Sequence, residues 1–186
     1  MKNTSDVSIN DFMEFWQNKP NSAEGKIAEA YNKALHDFDS KQTGLLRCLR
    51  PQKANGKLIP VFAEGSEQLI AGFEEAETRL ADVKVDIETY LVLTEGQPSM
   101  GGLTDKLFRA KRQIAEASLE ARRTLERTLR ETDSASIEEI EDMPEVQAAM
   151  DKRDQAQRQL GPVVEDLQGR VLKIKAILEK HNQIGI

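Results

Sequence analysis

Two histidines, one cysteine and several carboxylate runs are the side chains in this sequence that could do chemistry. His36 and His181 lie far apart in the chain, and neither has a Glu three residues before it. The Glu-x-x-His pattern with which helical bundles hold paired iron ions is therefore absent. There is no His-Glu-x-x-His and no Cys-x-x-Cys, so no metal site is assigned. Both histidines read as structural or solvated. Cys48 sits beside an apolar stripe next to Leu49 and reads as a buried, inert thiol. A lone cysteine also excludes an internal disulfide framework.

Phosphate chemistry fares no better. Neither G-x-x-x-x-G-K-[ST] nor G-x-G-x-x-G occurs. Gly101 and Gly102 precede a helix start, where backbone N–H groups can hold an anion, but the plain reading is a turn. Glu138, Glu141, Asp142 and Glu145 cluster around Pro144 on one helical face. They suit a divalent cation, and equally the positive end of a helix dipole; the second reading is preferred. Nucleophilic catalysis would need Cys48 or a serine beside a histidine and an orienting acid, and no pattern assigns one. The expectation is a protein that is not an enzyme, with no cofactor and no small-molecule substrate.

Two features remain as candidate binding determinants. Between Asp39 and Glu64 the chain carries Lys41, Arg47, Arg50, Lys53 and Lys57 and no acid. In a chain of net charge −6 this is an asymmetric basic patch, suited to phosphate, nucleic acid or an acidic protein surface. The second is aromatic. Phe12, Phe15 and Trp16 fall within two turns of a short N-terminal helix. Such residues either dock on the body of the protein or anchor a partner; docking is preferred. A second basic run, with Arg109, Lys111, Arg112, Arg122, Arg123, Arg127 and Arg130, is interleaved with glutamates three or four residues away and reads as a solvated face.

The elements that must position these residues are helices. The 186 residues are 31% charged and only 5% aromatic, the profile of long helices. Apolar residues step by four and three along four segments, at about 22–49, 62–94, 103–131 and 144–182. In the second, Phe62, Ser66, Leu69, Phe73, Ala76, Leu80, Val83, Ile87, Tyr90 and Thr94 keep the 3.5-residue period of a coiled-coil seam. In the third the stripe is Leu103, Leu107, Ala110, Ile114, Ser118, Ala121, Leu125 and Leu129. In the fourth, Val146, Met150, Arg153, Gln157, Leu160, Val164, Leu167, Val171, Ile174, Leu178 and His181 hold register across Gly161-Pro162. That predicts a kink at Pro162 within one continuous helix. The polar seam residues Arg153 and Gln157 set register or mark where the helix leaves the core. A short helix over residues 9–18, capped by Ser8, precedes the four, and Asn21 or Ser22 caps the first long one. Breaks are expected at 50–60, 95–102 and 133–144.

Charge alternates along the chain. Residues 21–60 carry +3, 61–102 carry −7, 103–132 carry +3 and 133–186 carry −4. Antiparallel neighbours would thus be opposite in sign. The expected fold is all-α: an elongated antiparallel helical bundle or coiled-coil hairpins, with four long helices at 21–186 as one domain and an N-terminal arm at 1–20. No segment has the apolar length of a membrane span, and the polar stretch 1–10 lacks a signal-peptide core. A cytoplasmic protein is expected. The functional reading is a helical interaction protein, an adaptor, assembly or structural subunit that contacts a protein partner or itself. The alternative is an accessory module touching nucleic acid or an acidic partner through the basic 41–57 region.

Overall fold

The computed structural model describes residues 8–132 and 136–183. Most of the polar N-terminal stretch and residues 133–135 of the third break lie outside the described residues. Among those described, the chain runs α1 (Ile9–Trp16), α2 (Ala23–Arg47), β1 (Leu49–Ala54), β2 (Lys57–Phe62), α3 (Glu67–Leu93), α4 (Gly101–Glu131), α5 (Ile137–Glu141) and α6 (Pro144–Gln183). The protein is mostly helical, and none of these helices is long and apolar enough to cross a membrane.

The helix ends follow local chemistry. Ser8 and Asp11 form a reciprocal capping box at α1. The Ser22 hydroxyl oxygen accepts the Gly25 N–H at 2.9 Å to start α2. Helix α3 ends in a Schellman turn, where Gly96 N–H donates to the Leu91 carbonyl and Glu95 N–H to that of Val92. The left-handed residue in that turn is Glu95, at φ 55°. Helix α6 passes through Pro162 unbroken, although the proline ring supplies no N–H to the carbonyl of Arg158.

Four expectations need correction. The break at 50–60 is a β-hairpin, so the chain is not purely helical. Helix α3 starts at Glu67, which puts Phe62 on a strand. A short helix, α5, lies within the third break; Ser136 caps it through a capping box with Glu139. The α4 stripe drifts by one position. Ala117 and Thr128 are buried where Ser118 and Leu129 were expected, and Leu129 is 46% exposed. The buried positions keep a strict seven-residue repeat, Leu103–Ala110–Ala117 and Ala121–Thr128, whereas the expected stripe takes two successive four-residue steps at Ile114 and Ser118 and so runs one position ahead of it.

The chain divides into two compact units, Met1–Ser99 with Ile174–Ile186 and Met100–Lys173. In the first, α2 and α3 pack antiparallel. Tyr90 O–H donates to Glu24 Oε1 at 3.0 Å at one end, and the Phe38 and Phe73 rings meet at 5.2 Å further along. Arg79 reaches Asp37 at 3.4 Å between them. Ile27, Ala28 and Ala34 of α2 and Ala76, Leu80, Val83, Ile87 and Tyr90 of α3 are the buried faces. In the second unit, α4 and α6 are tied by Lys152–Glu120 at 2.8 Å and by Glu145, whose two oxygens take Arg127 and the Thr128 hydroxyl. These pairs run in opposite chain directions. The α6 seam is as expected at Val146, Leu167, Ile174, Leu178 and His181, all buried, whereas Gln157 is exposed and Arg153 pairs with Asp154.

Candidate functional site

The hairpin at 49–62 is built by its turn. Asn55 and Gly56 both have positive φ, 48° and 76°, as a type I′ turn requires. This turn twists in the same sense as the strands and fixes the register Ala54↔Lys57 through Leu49↔Phe62. Ala63 N–H donates to the Cys48 carbonyl at 3.0 Å, so the next pair down the ladder is hydrogen-bonded. Bonded and non-bonded pairs alternate in an antiparallel ladder. The non-bonded pairs are therefore Leu49↔Phe62, Pro51↔Pro60 and Lys53↔Leu58. The backbone nitrogens of these six residues point away from the ladder, to the two open edges. Both prolines occupy the middle of an edge, where a strand added from outside would need an N–H. Proline on an edge strand is a known protection against such pairing.

Side chains of the non-bonded pairs share one face. That face carries Leu49, Pro51, Leu58, Pro60 and Phe62 with one cation, Lys53. Leu58 is 73% exposed and Phe62 45%. The opposite face carries Arg50, Gln52, Lys57, Ile59 and Val61. From Leu49 to Phe62 the hairpin has three basic residues and no acid.

The five basic candidates are all exposed, but they do not form a single surface. Lys41 lies against α3 beside Gly72. Arg47 is in the last turn of α2. The Arg50 guanidinium donates to the carbonyls of Arg47 at 2.8 Å and Leu49 at 3.0 Å, so it closes the end of α2. Lys53 and Lys57 stand on opposite hairpin faces. Cys48 is half-buried rather than enclosed, with its thiol 3.5 Å from the Gly44 carbonyl.

The aromatic candidates divide. Phe12 is fully buried and meets Tyr90 edge-on at 5.4 Å. Trp16 is buried and its indole N–H donates to the Pro98 carbonyl. Phe15 stays 42% exposed beneath Lys19, whose ammonium lies 3.6 Å from the ring centre. Only Phe15 of the three presents its ring at the surface.

Sequence reasoning passed over two further features. An open groove of about 990 Å³ lies between α1, α2 and α3, with Ile9, Tyr31, Leu91 and Val92 in its lining. Val92 is 76% exposed. Glu88, Glu95 and Lys84 complete its charged rim. The second feature is a polar cluster in the same unit. Asp86 Oδ2 takes Lys180 at 2.6 Å and His181 Nε2 at 2.8 Å, and the buried His181 Nδ1 has no partner. Among the described residues no three His, Cys, Asp or Glu side chains converge on a metal-sized site. His36 is exposed. Gly101 and Gly102 lie inside the first turn of α4.

Comparison with protein-family models, with curated proteins and with solved structures finds no match for this chain.

Proposed function

We propose that this is a non-enzymatic interaction protein, acting as an adaptor, assembly or structural subunit through protein–protein contacts. One observation carries the reading. The hairpin at 49–62 leaves Leu58, Ile59 and Phe62 exposed beside cations. A two-stranded hairpin gains little stability by itself, and apolar side chains kept in water are favourable only once a partner removes them from it. On the same reading, α2 with α3 and α4 with α6 are antiparallel coiled-coil hairpins, the first of which carries this arm. The alternation of charge along the chain and the ion pairs within each hairpin support that reading.

A second reading has its own support: the hairpin carries three cations and no carboxylate. A two-stranded ribbon of this charge also fits a nucleic-acid groove. One experiment separates the readings. Arg47, Arg50, Lys53 and Lys57 are all changed to Glu. Helicity should stay near normal apart from a small loss at the end of α2, where Arg50 no longer reaches its carbonyls. Partners cross-linked to the wild type in its host should be proteins and should be lost from the variant. Salt-dependent retention of a nucleic acid by the wild type alone would establish the second reading. An unchanged partner set would remove both. Small-angle scattering should give a radius of gyration above the ~16 Å of a compact chain of this length.

A further inference from the structure

The hairpin has three ways to be recognised, and its geometry eliminates one. Addition of a third strand needs a continuous row of outward donors. Pro51 and Pro60 remove the central donor from both edges at once. The arm is thus built for recognition by a face. Both faces are open to solvent, and the more apolar of the two carries Leu49, Pro51, Leu58, Pro60 and Phe62, with Lys53 beside Leu58.

A matching surface exists on the same unit. The groove between α1, α2 and α3 has Ile9, Tyr31, Leu91 and Val92 in its lining, and two acids, Glu88 and Glu95, against one base, Lys84, on its rim. Helix α3, which supplies Lys84, Glu88, Leu91 and Val92 to it, carries seven acids and two bases. The hairpin carries the opposite balance. The two surfaces sit at opposite ends of α3, whose 27 residues span ~40 Å at about 1.5 Å per residue. A six-residue strand reaches only ~20 Å. A chain cannot fill its own groove with its own arm.

We propose that the apolar face of the hairpin of one copy docks in the α1–α2–α3 groove of a second copy. Leu58 lies against Leu91 and Val92, and Lys53 lies at Glu88. Two copies with their α2/α3 pairs side by side and antiparallel make this contact twice and close as a two-fold dimer. The inference rests on the protein–protein reading above and names its partner.

Sedimentation equilibrium tests it directly. The wild type should reach twice its 20.9 kDa, and the dimer should weaken with salt. Leu58→Asp and Val92→Asp change exposed side chains, so each should keep its helical spectrum and sediment as a monomer. Mixed together, they should recover association, because each supplies the surface the other lacks. Lys53→Glu and Glu88→Lys should each weaken the dimer about tenfold, and the double variant should regain most of it. A wild type that stays monomeric overturns the proposal, as does a Leu58→Asp variant that still dimerises. A charge-swapped double variant no better than either single one also overturns it. So does a DNA duplex bound by the wild type and released by Leu58→Asp, which would give the arm to nucleic acid. If the wild type is monomeric yet loses cross-linked protein partners on charge reversal, only the self-contact fails and the interaction reading stands.

Discussion

At His181 a polar ring is held inside the protein by a single hydrogen bond. Its Nε2 meets Asp86 Oδ2 at 2.8 Å, and its Nδ1 is buried without a partner. Removing the carboxylate leaves both ring nitrogens buried and unpaired, which costs ~1–3 kcal/mol. Asp86→Ala should therefore lower the melting temperature measurably, and an unchanged melt would mean the ring is hydrated. Gly25 makes a sharper steric demand. A Cβ there would lie 1.9 Å from the Lys19 carbonyl oxygen, and that backbone cannot swing aside as a flexible side chain would. Gly25→Ala should destabilise by ~1–3 kcal/mol, the usual range for overpacking. Glu95 is the reverse case. It sits in the left-handed region at φ 55°, a conformation in which glycine has no steric penalty. Glu95→Gly should raise stability by up to ~1 kcal/mol in a denaturant titration.

Among the elements, α3 carries the strongest seam, and Leu80 at its centre is 6% exposed. Leu80→Asp puts a carboxylate among apolar neighbours at a cost of several kcal/mol, comparable with the stability of a whole domain. Loss of the cooperative thermal transition is expected; a normal melt would place that face in solvent. The hairpin responds differently, because few of its side chains are buried. Gly56→Val forces a β-branched residue to φ 76°, where the I′ turn needs glycine. Amide exchange should accelerate in 49–62 while the helical melt stays put. A fall of the whole melt would show that the arm supports the helices. On α4, Glu126 accepts a hydrogen bond from Arg122 at 2.8 Å, and that bond and its charge hold the carboxyl below its ordinary value. A carboxyl lowered on folding favours the folded state at neutral pH and loses that contribution as pH falls through its folded value.

For the whole molecule, three of the pairs that cross between helices, Asp37–Arg79, Glu120–Lys152 and Arg127–Glu145, are largely solvated, whereas the Asp86 carboxylate that holds Lys180 and His181 is mostly enclosed. Exposed pairs contribute ~0–1 kcal/mol each, so the buried apolar faces, more than these pairs, hold each unit together.

The chain's local chemistry was sufficient for much of this. A repeating four-three stripe specifies a helix and its buried side from neighbours within one or two turns, so α2, α3, α4 and α6 were legible to within a few residues. The caps at Ser8 and Ser22 were legible for the same reason, since a cap needs only the next three residues. The hairpin was locally encoded too, in Asn55-Gly56. The Pro, Asn and Gly of 50–60 signal only a break between helices, and it is the register that places Pro51 and Pro60 on the open edges of a strand pair. What only tertiary structure decided are the long-range choices. Phe12 and Trp16 turn inward because Tyr90 and Pro98, some eighty residues away, complete their surroundings. His181 is buried because Asp86 meets it across ninety-five positions. Each depends on the free energy of groups far apart in sequence, and no periodicity within one segment carries that information.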